Sequence, residues 1–228
     1  MSPRVALVTA AAQGLGAHLA QHLVQAGFHV IAHWHRRPGA LTGPGVTWVQ
    51  ADLSTAAGRE ALADAAVAGG RLDVLVNNLG VYPEARLEDT DLALWQQTLE
   101  LTLTANFHLT QRLAPHLTRP GGRIINLGDS GADRIEARRQ ATPYHVAKLG
   151  VHVLTRTFAQ ILAPDGVTVN MVSPGFLVNS VGVPGEPIPA GRPGAFADIA
   201  AAVDFLLSDG AAYTSGANLV VSGAWNLG

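Results

Sequence analysis

Arg4-Val5-Ala6-Leu7-Val8-Thr9-Ala10-Ala11-Ala12-Gln13-Gly14-Leu15-Gly16 is the stretch on which the fold turns. A short apolar, β-branched run ends in small residues and two glycines, and an amphipathic stretch follows at once. Small residues at such a junction let backbone N–H groups approach a phosphate at a helix N-terminus. Two glycines one residue apart are weak evidence alone, because a turn that merely packs would look the same. Their place between a first strand and a first helix favours the nucleotide reading. Thr9, Gln13, Gly14 and Leu15 are then expected at a cofactor.

Outward from this turn the pattern repeats. Strand-like runs at 4–9, 28–33, 46–50, 72–77, 123–127, 168–172 and 218–221 alternate with helical patterns near 15–26, 55–68, 91–117, 143–162 and 196–208. That alternation predicts stacked βαβ units. Several runs are almost wholly apolar, as strands are when helices cover both faces of a sheet. The expected fold is a single α/β domain over 1–228, a Rossmann-type doubly wound structure with a seven-stranded parallel sheet flanked by helices. Leu92, Trp95, Leu99, Leu103 and Leu113 fall at helical spacings and predict one long helix with a buried face. The stretch near 175–195 is rich in Pro and Gly and follows a strand end, where open α/β sheets bind ligands. It reads as a substrate loop, short enough to predict an open or shallow pocket.

Composition narrows the function. The chain has 228 residues, of which 48% are hydrophobic and 14% charged, with a net charge of −2. No basic run exceeds an Arg pair, so nucleic acid is not an expected partner. No apolar stretch reaches the roughly 18 residues a membrane span needs. The first residues pass straight into a strand-like run without a signal-peptide core, which predicts a cytoplasmic protein. There is no cysteine, hence no disulfide framework or thiolate metal site. His18 and His22 share a helix face, but no third ligand is near in sequence, so helix packing is expected and no metal.

The second strand-like run ends in Ala32-His33-Trp34-His35-Arg36-Arg37. An NAD site usually places an acidic residue here, about 20 residues past the glycines, on the ribose 2′-hydroxyl. Two arginines suit a 2′-phosphate instead, so His35, Arg36 and Arg37 point to NADP(H). A solvated basic turn is the alternative. After the third run, Asp52 and Leu53 are placed for the adenine, though Asp52 could equally cap the next helix.

The chain has one lysine, Lys148, against fourteen arginines, and it lies four residues after Tyr144 in Tyr144-His145-Val146-Ala147-Lys148. Residues four apart share a helix face. An ammonium there is expected to lower the Tyr pKa from about 10 towards neutrality, making the phenol a proton donor or acceptor. The same Lys could donate to ribose hydroxyls.

These residues resemble the short-chain dehydrogenase/reductase family, and the resemblance spans nearly the whole chain. Thr9–Gly16 is similar to the family's Thr-Gly-x-x-x-Gly-x-Gly turn, and Asn77-Asn78-Leu79-Gly80 to its Asn-Asn-Ala-Gly segment. Tyr144 and Lys148 match the catalytic pair, and Ser173-Pro174-Gly175 the Pro-Gly turn beside the nicotinamide. The resemblance implies nicotinamide-dependent hydride transfer, cofactor contacts from Asn78, Gly80, Tyr144, Lys148, Pro174 and Gly175, and a homotetramer or dimer. Departures accompany it. Ala10 stands at the first turn glycine, where a methyl fits if φ is negative. Leu79 replaces a small residue and would tighten the cofactor pocket. Thr102 stands where the family's relay Asn belongs, and Asn106 is the nearest substitute, on another helix face. The place of the family's Ser holds Asp129, with Ser130 next.

An Asp there resembles the pteridine reductase branch, as do His33-Trp34-His35-Arg36, Ala51–Ser54 and an aromatic residue, here Tyr82, shortly after the Asn-Asn pair. That likeness implies an NADPH-dependent reductase of a planar heterocycle, with Asp129 and Tyr144 managing protons and Tyr82, Ser130 and Phe176 near the substrate. Asp129 as a loop cap and Tyr82 as wall packing are the plain alternatives. A generic carbonyl or 3-oxoacyl reductase using Ser130, and a catalytically impaired NADP-binding sensor or scaffold, are the competing functions.

Overall fold

The computed structural model describes residues 3–180 and 184–225. Seven strands make one parallel sheet: β1 (Val5–Val8), β2 (His29–Trp34), β3 (Val46–Gln50), β4 (Val74–Asn77), β5 (Arg123–Leu127), β6 (Thr168–Pro174) and β7 (Asn218–Val221). Their order is β3-β2-β1-β4-β5-β6-β7. The chain therefore reverses its direction of growth beside β1, and the strands' C-terminal ends open a crevice between β1 and β4. In open α/β sheets that switch point is where ligands bind.

Helices α1 (Gly14–Gln25), α2 (Ala56–Val67), α3 (Leu92–Leu99), α4 (Ala105–Leu113), α5 (Thr142–Leu162) and α6 (Phe196–Leu207) cover the two faces. Leu19, Leu23, Val203 and Leu206 pack on Ala6, Val8 and Val30 on one side. On the other side Leu62, Leu109, Leu113 and Leu162 pack on Leu7, Leu75 and Ile124. Strands buried on both faces explain the apolar runs Val5–Val8 of β1 and Val74–Val76 of β4.

The expected long helix is not uniform. Between α3 and α4 the residues Glu100–Thr104 form a π-helical turn, and a 3-10 turn (Ala114–His116) ends the run. A π turn inserts one residue per turn and re-aims the side chains within it, and such turns recur at functional sites. Thr102 lies inside it. The buried face expected of the long helix is only partly there: Leu113 is buried and Trp95, Leu99 and Leu103 are half-buried, but Leu92 is 69% exposed.

The loop after β6 is clipped at its base by Gly194 N–H to Phe176 O (2.9 Å) and Val178 N–H to Gly194 O (3.0 Å). An Arg192–Asp198 ion pair (2.7 Å) fastens its far end to α6. Residues 181–183 of this expected substrate loop lie outside the described residues. Among the described residues no helix is long and apolar enough to cross a membrane.

Candidate active site

The turn after β1 is held by a buried hydroxyl. Thr9, 1% exposed, accepts from the N–H groups of Asn78 (2.9 Å) and Leu79 (3.0 Å) through Oγ1. Asn78 Nδ2 returns a bond to Thr9 O (3.0 Å), so the ends of β1 and β4 are stitched together. A Cβ on Gly16 would collide with the Ala10 carbonyl, so only glycine lets α1 start this close to the turn. Gly14 takes φ +57, a conformation natural to glycine. The Gln13 side chain makes no cap bond and the first turn of α1 carries no acidic residue, leaving its N–H groups for an anion.

Two expectations about this turn are corrected. Ala10 has φ +52, not a negative value, so its methyl sits in the left-handed region. Its N–H is held by the buried imidazole of His33 (3.0 Å to Nδ1), which fixes that conformation. Leu79 does not tighten the cofactor pocket. It packs into the core on the α2 and α4 side, since its backbone is pinned to Thr9.

At the far end of the crevice, His35, Arg36 and Arg37 are exposed where β2 ends. Neither Arg36 nor Arg37 has a hydrogen bond or ion pair among the described residues. Asp52 Oδ1 accepts from Ser54 N–H (3.0 Å) and Oγ (2.7 Å), which holds its carboxyl below the usual carboxylate range. Its Oδ2 lies 3.7 Å from His35 Nε2. Asp52 thus builds a turn, while Thr55 caps α2 by accepting from Gly58 N–H (3.0 Å). Leu53 is core, 2% exposed, so its side chain cannot reach a cofactor; like Thr9 it supports the site from behind.

The chemistry converges on one cavity of about 510 Å³ at the ends of β4, β5 and β6. Leu15, Asn78, Gly80, Tyr82, Asp129, Tyr144, Lys148, Pro174, Gly175 and Phe176 all line it, so ten of the expected residues are brought together. Ser130 is 2% exposed, is absent from this lining and donates its N–H to Pro174 O (3.0 Å). The residue one step along from Asp129 therefore belongs to the wall's interior.

Tyr144 is aimed by the start of α5. Ala141, buried and left-handed at φ +51, turns the chain into the helix, and Pro143 occupies its first turn. Lys148, 3% exposed, lies one turn on and donates Nζ–H to Leu127 O (2.6 Å). Burial lowers its pKa from 10.5 to about 8, with the Asp129 carboxylate opposing that shift. Holding the ammonium there costs about 3 kcal/mol relative to water.

The expected fall in the Tyr144 pKa does not occur. Burial, then the charge of Asp129, then Tyr82 push it well above its usual value. Lys148 Nζ lies 5.6 Å from the Tyr144 ring centre and spends its shortest bond on Leu127. Tyr144 is consequently a neutral phenol, which is the form that can deliver a proton.

Thr102 is 1% exposed and its Oγ1 accepts from Val81 N–H (3.1 Å), tying the π turn to the segment after β4. Asn106 points elsewhere: its Nδ2 donates to Asn126 Oδ1 (3.0 Å) beneath the sheet. Thr102, not Asn106, thus occupies the place beside the site.

Other lining residues were not singled out from the sequence, among them His145, Arg138 and Trp225. His145 meets Tyr82 and Tyr144 edge-on, with ring centres 6.2 and 5.4 Å away. Arg138 pairs with Glu136, Asn179 comes from the loop after β6, and Trp225 stands edge-on to Phe176 at 6.2 Å. The cavity's volume falls within the range of small-molecule sites. Trp225 and the Pro184–Gly185 stretch supply part of its wall. His145 was signalled only by adjacency to Tyr144; nothing local marks Trp225, which is distant in sequence. His18 and His22 stack at 6.4 Å, with His22 bonded to Asp204 (2.8 Å); among the described residues no group of three potential ligands could hold a metal.

Known proteins share this architecture. The profile of the enoyl-(acyl carrier protein) reductase family matches residues 9–226. The trans-4-hydroxycyclohexanecarboxylate dehydrogenase of Sinomonas cyclohexanicum is 33% identical over 100% of this chain and 95% of its own. The acetoacetyl-CoA reductase of an Acinetobacter species is 31% identical, covering 96% of each. Among solved structures, acetoin dehydrogenase from Salmonella typhimurium superposes with a TM-score of 0.86 at 32% identity over 97% of this chain and 95% of that one. A metagenomic blue fluorescent protein in complex with NADPH gives 0.86 at 26% identity over 98% of each. With these likenesses running the length of a chain that presents Tyr144 and Lys148 at the switch point of a seven-stranded parallel sheet, the protein belongs to the short-chain dehydrogenase/reductase family of oxidoreductases.

Proposed function

We propose that the protein is an NADPH-dependent reductase of a C=N or C=O bond in a planar, N–H-bearing heterocycle, of which a dihydropterin is the representative. The observation that carries this reading is Asp129 lining one cavity with Tyr144 while Ser130 stays in the wall, although Asp129 Oδ1 also caps its own loop by accepting from Gly131 N–H (3.0 Å). A hydroxyl can donate to a carbonyl oxygen, whereas an ionised carboxylate can only accept, so it suits a substrate presenting N–H groups. Tyr82 meets Tyr144 edge-on, 5.1 Å between ring centres, and so puts an aromatic ring beside the phenol in the same cavity.

The residues present fit a nicotinamide dinucleotide. The α1 N-terminus, with Gly14 and Gly16, suits a pyrophosphate, and the exposed Arg36 and Arg37 suit a 2′-phosphate. The metagenomic relative bound to NADPH agrees with that choice. When bound, the cofactor supplies the hydride. Tyr144 then delivers its proton to the substrate nitrogen or oxygen, Lys148 holds positive charge behind it, and Asp129 fixes the substrate by accepting N–H bonds. Thr102 braces the segment carrying Gly80 and Tyr82.

A second reading, a carbonyl or 3-oxoacyl reductase, is favoured by relatives named as acetoacetyl-CoA and 3-oxoacyl-(acyl carrier protein) reductases. Oxidation of NADPH followed with 7,8-dihydropterins and with 3-oxoacyl-CoA esters separates the two. Turnover of the pterins supports the first reading. Turnover of the esters alone replaces it with the second, and tight NADPH binding without turnover of any substrate points to a sensor.

A further inference from the structure

Among the described residues, His33 is the one buried imidazole, and the proposed mechanism does not use it. It is 2% exposed and stands between the turn after β1 and the end of β3. Its Nδ1 lies 3.0 Å from the Ala10 nitrogen and its Nε2 3.1 Å from the Ala51 oxygen. A backbone N–H can only donate and a carbonyl can only accept. Both bonds are therefore satisfied by one species alone, the neutral imidazole carrying its proton on Nε2.

What the ring holds is unusual. Ala10 is left-handed at φ +52, where a side chain is strained, and the neighbouring bonds lock onto the same point. Ala11 N–H donates to His33 O (2.8 Å), and Asn78 Nδ2 reaches Ala10 O (3.3 Å). Gly16 packs directly under the Ala10 carbonyl. A shift at residue 10 would thus move the start of α1. Burial favours the neutral ring; the titratable groups facing it are His35, which disfavours its protonation, and Asp52, which favours it.

We propose that His33 is a positioning residue for the cofactor: as the Nε2–H tautomer it straps Ala10 in its left-handed conformation, and so presets the turn that receives the dinucleotide's pyrophosphate. This rests on the reading of that turn as the NADP(H) phosphate site. The strap also links the phosphate turn to Ala51, next to Asp52, so the two ends of the site keep a fixed spacing.

Two substitutions take the bonds apart. His33→Asn places an amide oxygen near the Nδ1 position and keeps the acceptor for Ala10; His33→Gln places N–H near Nε2 and keeps the donor to Ala51. Calorimetric NADPH binding should weaken about tenfold in His33→Gln, the scale of one lost buried hydrogen bond, and stay within about threefold in His33→Asn. Adding Ala10→Gly to His33→Gln should recover most of that loss, because glycine adopts φ +52 without a strap. In the unliganded wild type, imidazole nitrogen shifts should report the Nε2–H tautomer, and the Ala10 amide should exchange slowly. An Nδ1–H ring would overturn the proposal even if the variants failed to fold. So would folded His33→Gln binding NADPH like wild type, or no recovery on adding Ala10→Gly. Wild type that fails to bind NADPH would overturn the cofactor reading itself, and the proposal with it.

Discussion

The two halves of the crevice are made differently. At the end of β1 the site is backbone: Thr9, Asn78 and His33 are partly or fully buried, and they spend their polar atoms shaping the turn that leads into the N-terminus of α1. At the ends of β5 and β6 the site is side chains: Asp129, Tyr144, His145 and Lys148 project into the cavity from a loop and one helix. A cofactor half made of backbone depends on shape and tolerates little change in volume. A substrate half made of side chains depends on proton positions and can be retuned by a single substitution. Damage to the first should appear in binding, and damage to the second in turnover.

The largest effect is expected from Tyr144→Phe, which removes the proton donor while leaving its ring packing. Its kcat should fall about a thousandfold, the scale of general acid catalysis, with NADPH affinity within about twofold. Equal losses in both would erase the distinction between the halves. Lys148→Arg comes next, with a loss of about a hundredfold, because a guanidinium does not fit a pocket that aims one ammonium at Leu127. The pH profile gives the sign of the Lys148 contribution. Its lowered pKa of about 8 means that the charge is present below that pH and lost above it. The free-enzyme kcat/KM should therefore decline as pH rises through about 8, and that limb should vanish in Lys148→Arg.

Smaller effects probe the cofactor half. Arg36→Ala should weaken NADPH about tenfold while leaving NADH unchanged, measured as the ratio of the two dissociation constants. Equal weakening of both would mean that Arg36 does not read the 2′-phosphate. Ala10→Gly should raise stability by about 0.5–1 kcal/mol in a denaturant titration, since it relieves a left-handed alanine. No gain would mean that the strain is absent.

The same contrast explains how much was legible in the sequence. The sheet, its helices and the Tyr144–Lys148 face follow from periodicity and spacing, which are local properties of the chain. Gly14 and Gly16 were readable because a phosphate turn has few local solutions. What escaped depends on contacts between distant residues. The π turn at Thr102, the His33 strap on Ala10 and the arrival of Trp225 are set by packing across the sheet. The electrostatics escaped for the same reason. A Tyr and a Lys four apart suggest a lowered phenol pKa, but burial and Asp129 reverse it, and neither is visible in that spacing.

In the proposed function Asp129 selects an N–H-bearing substrate. The most direct test is the ratio of kcat/KM for a 7,8-dihydropterin to that for acetoacetyl-CoA, compared between wild type and Asp129→Ser. The account predicts that wild type prefers the pterin, and that restoring a hydroxyl donor lowers the ratio at least about tenfold, the equivalent of one strong hydrogen bond exchanged. A wild type that already prefers acetoacetyl-CoA, or a ratio unmoved by the substitution, would contradict it.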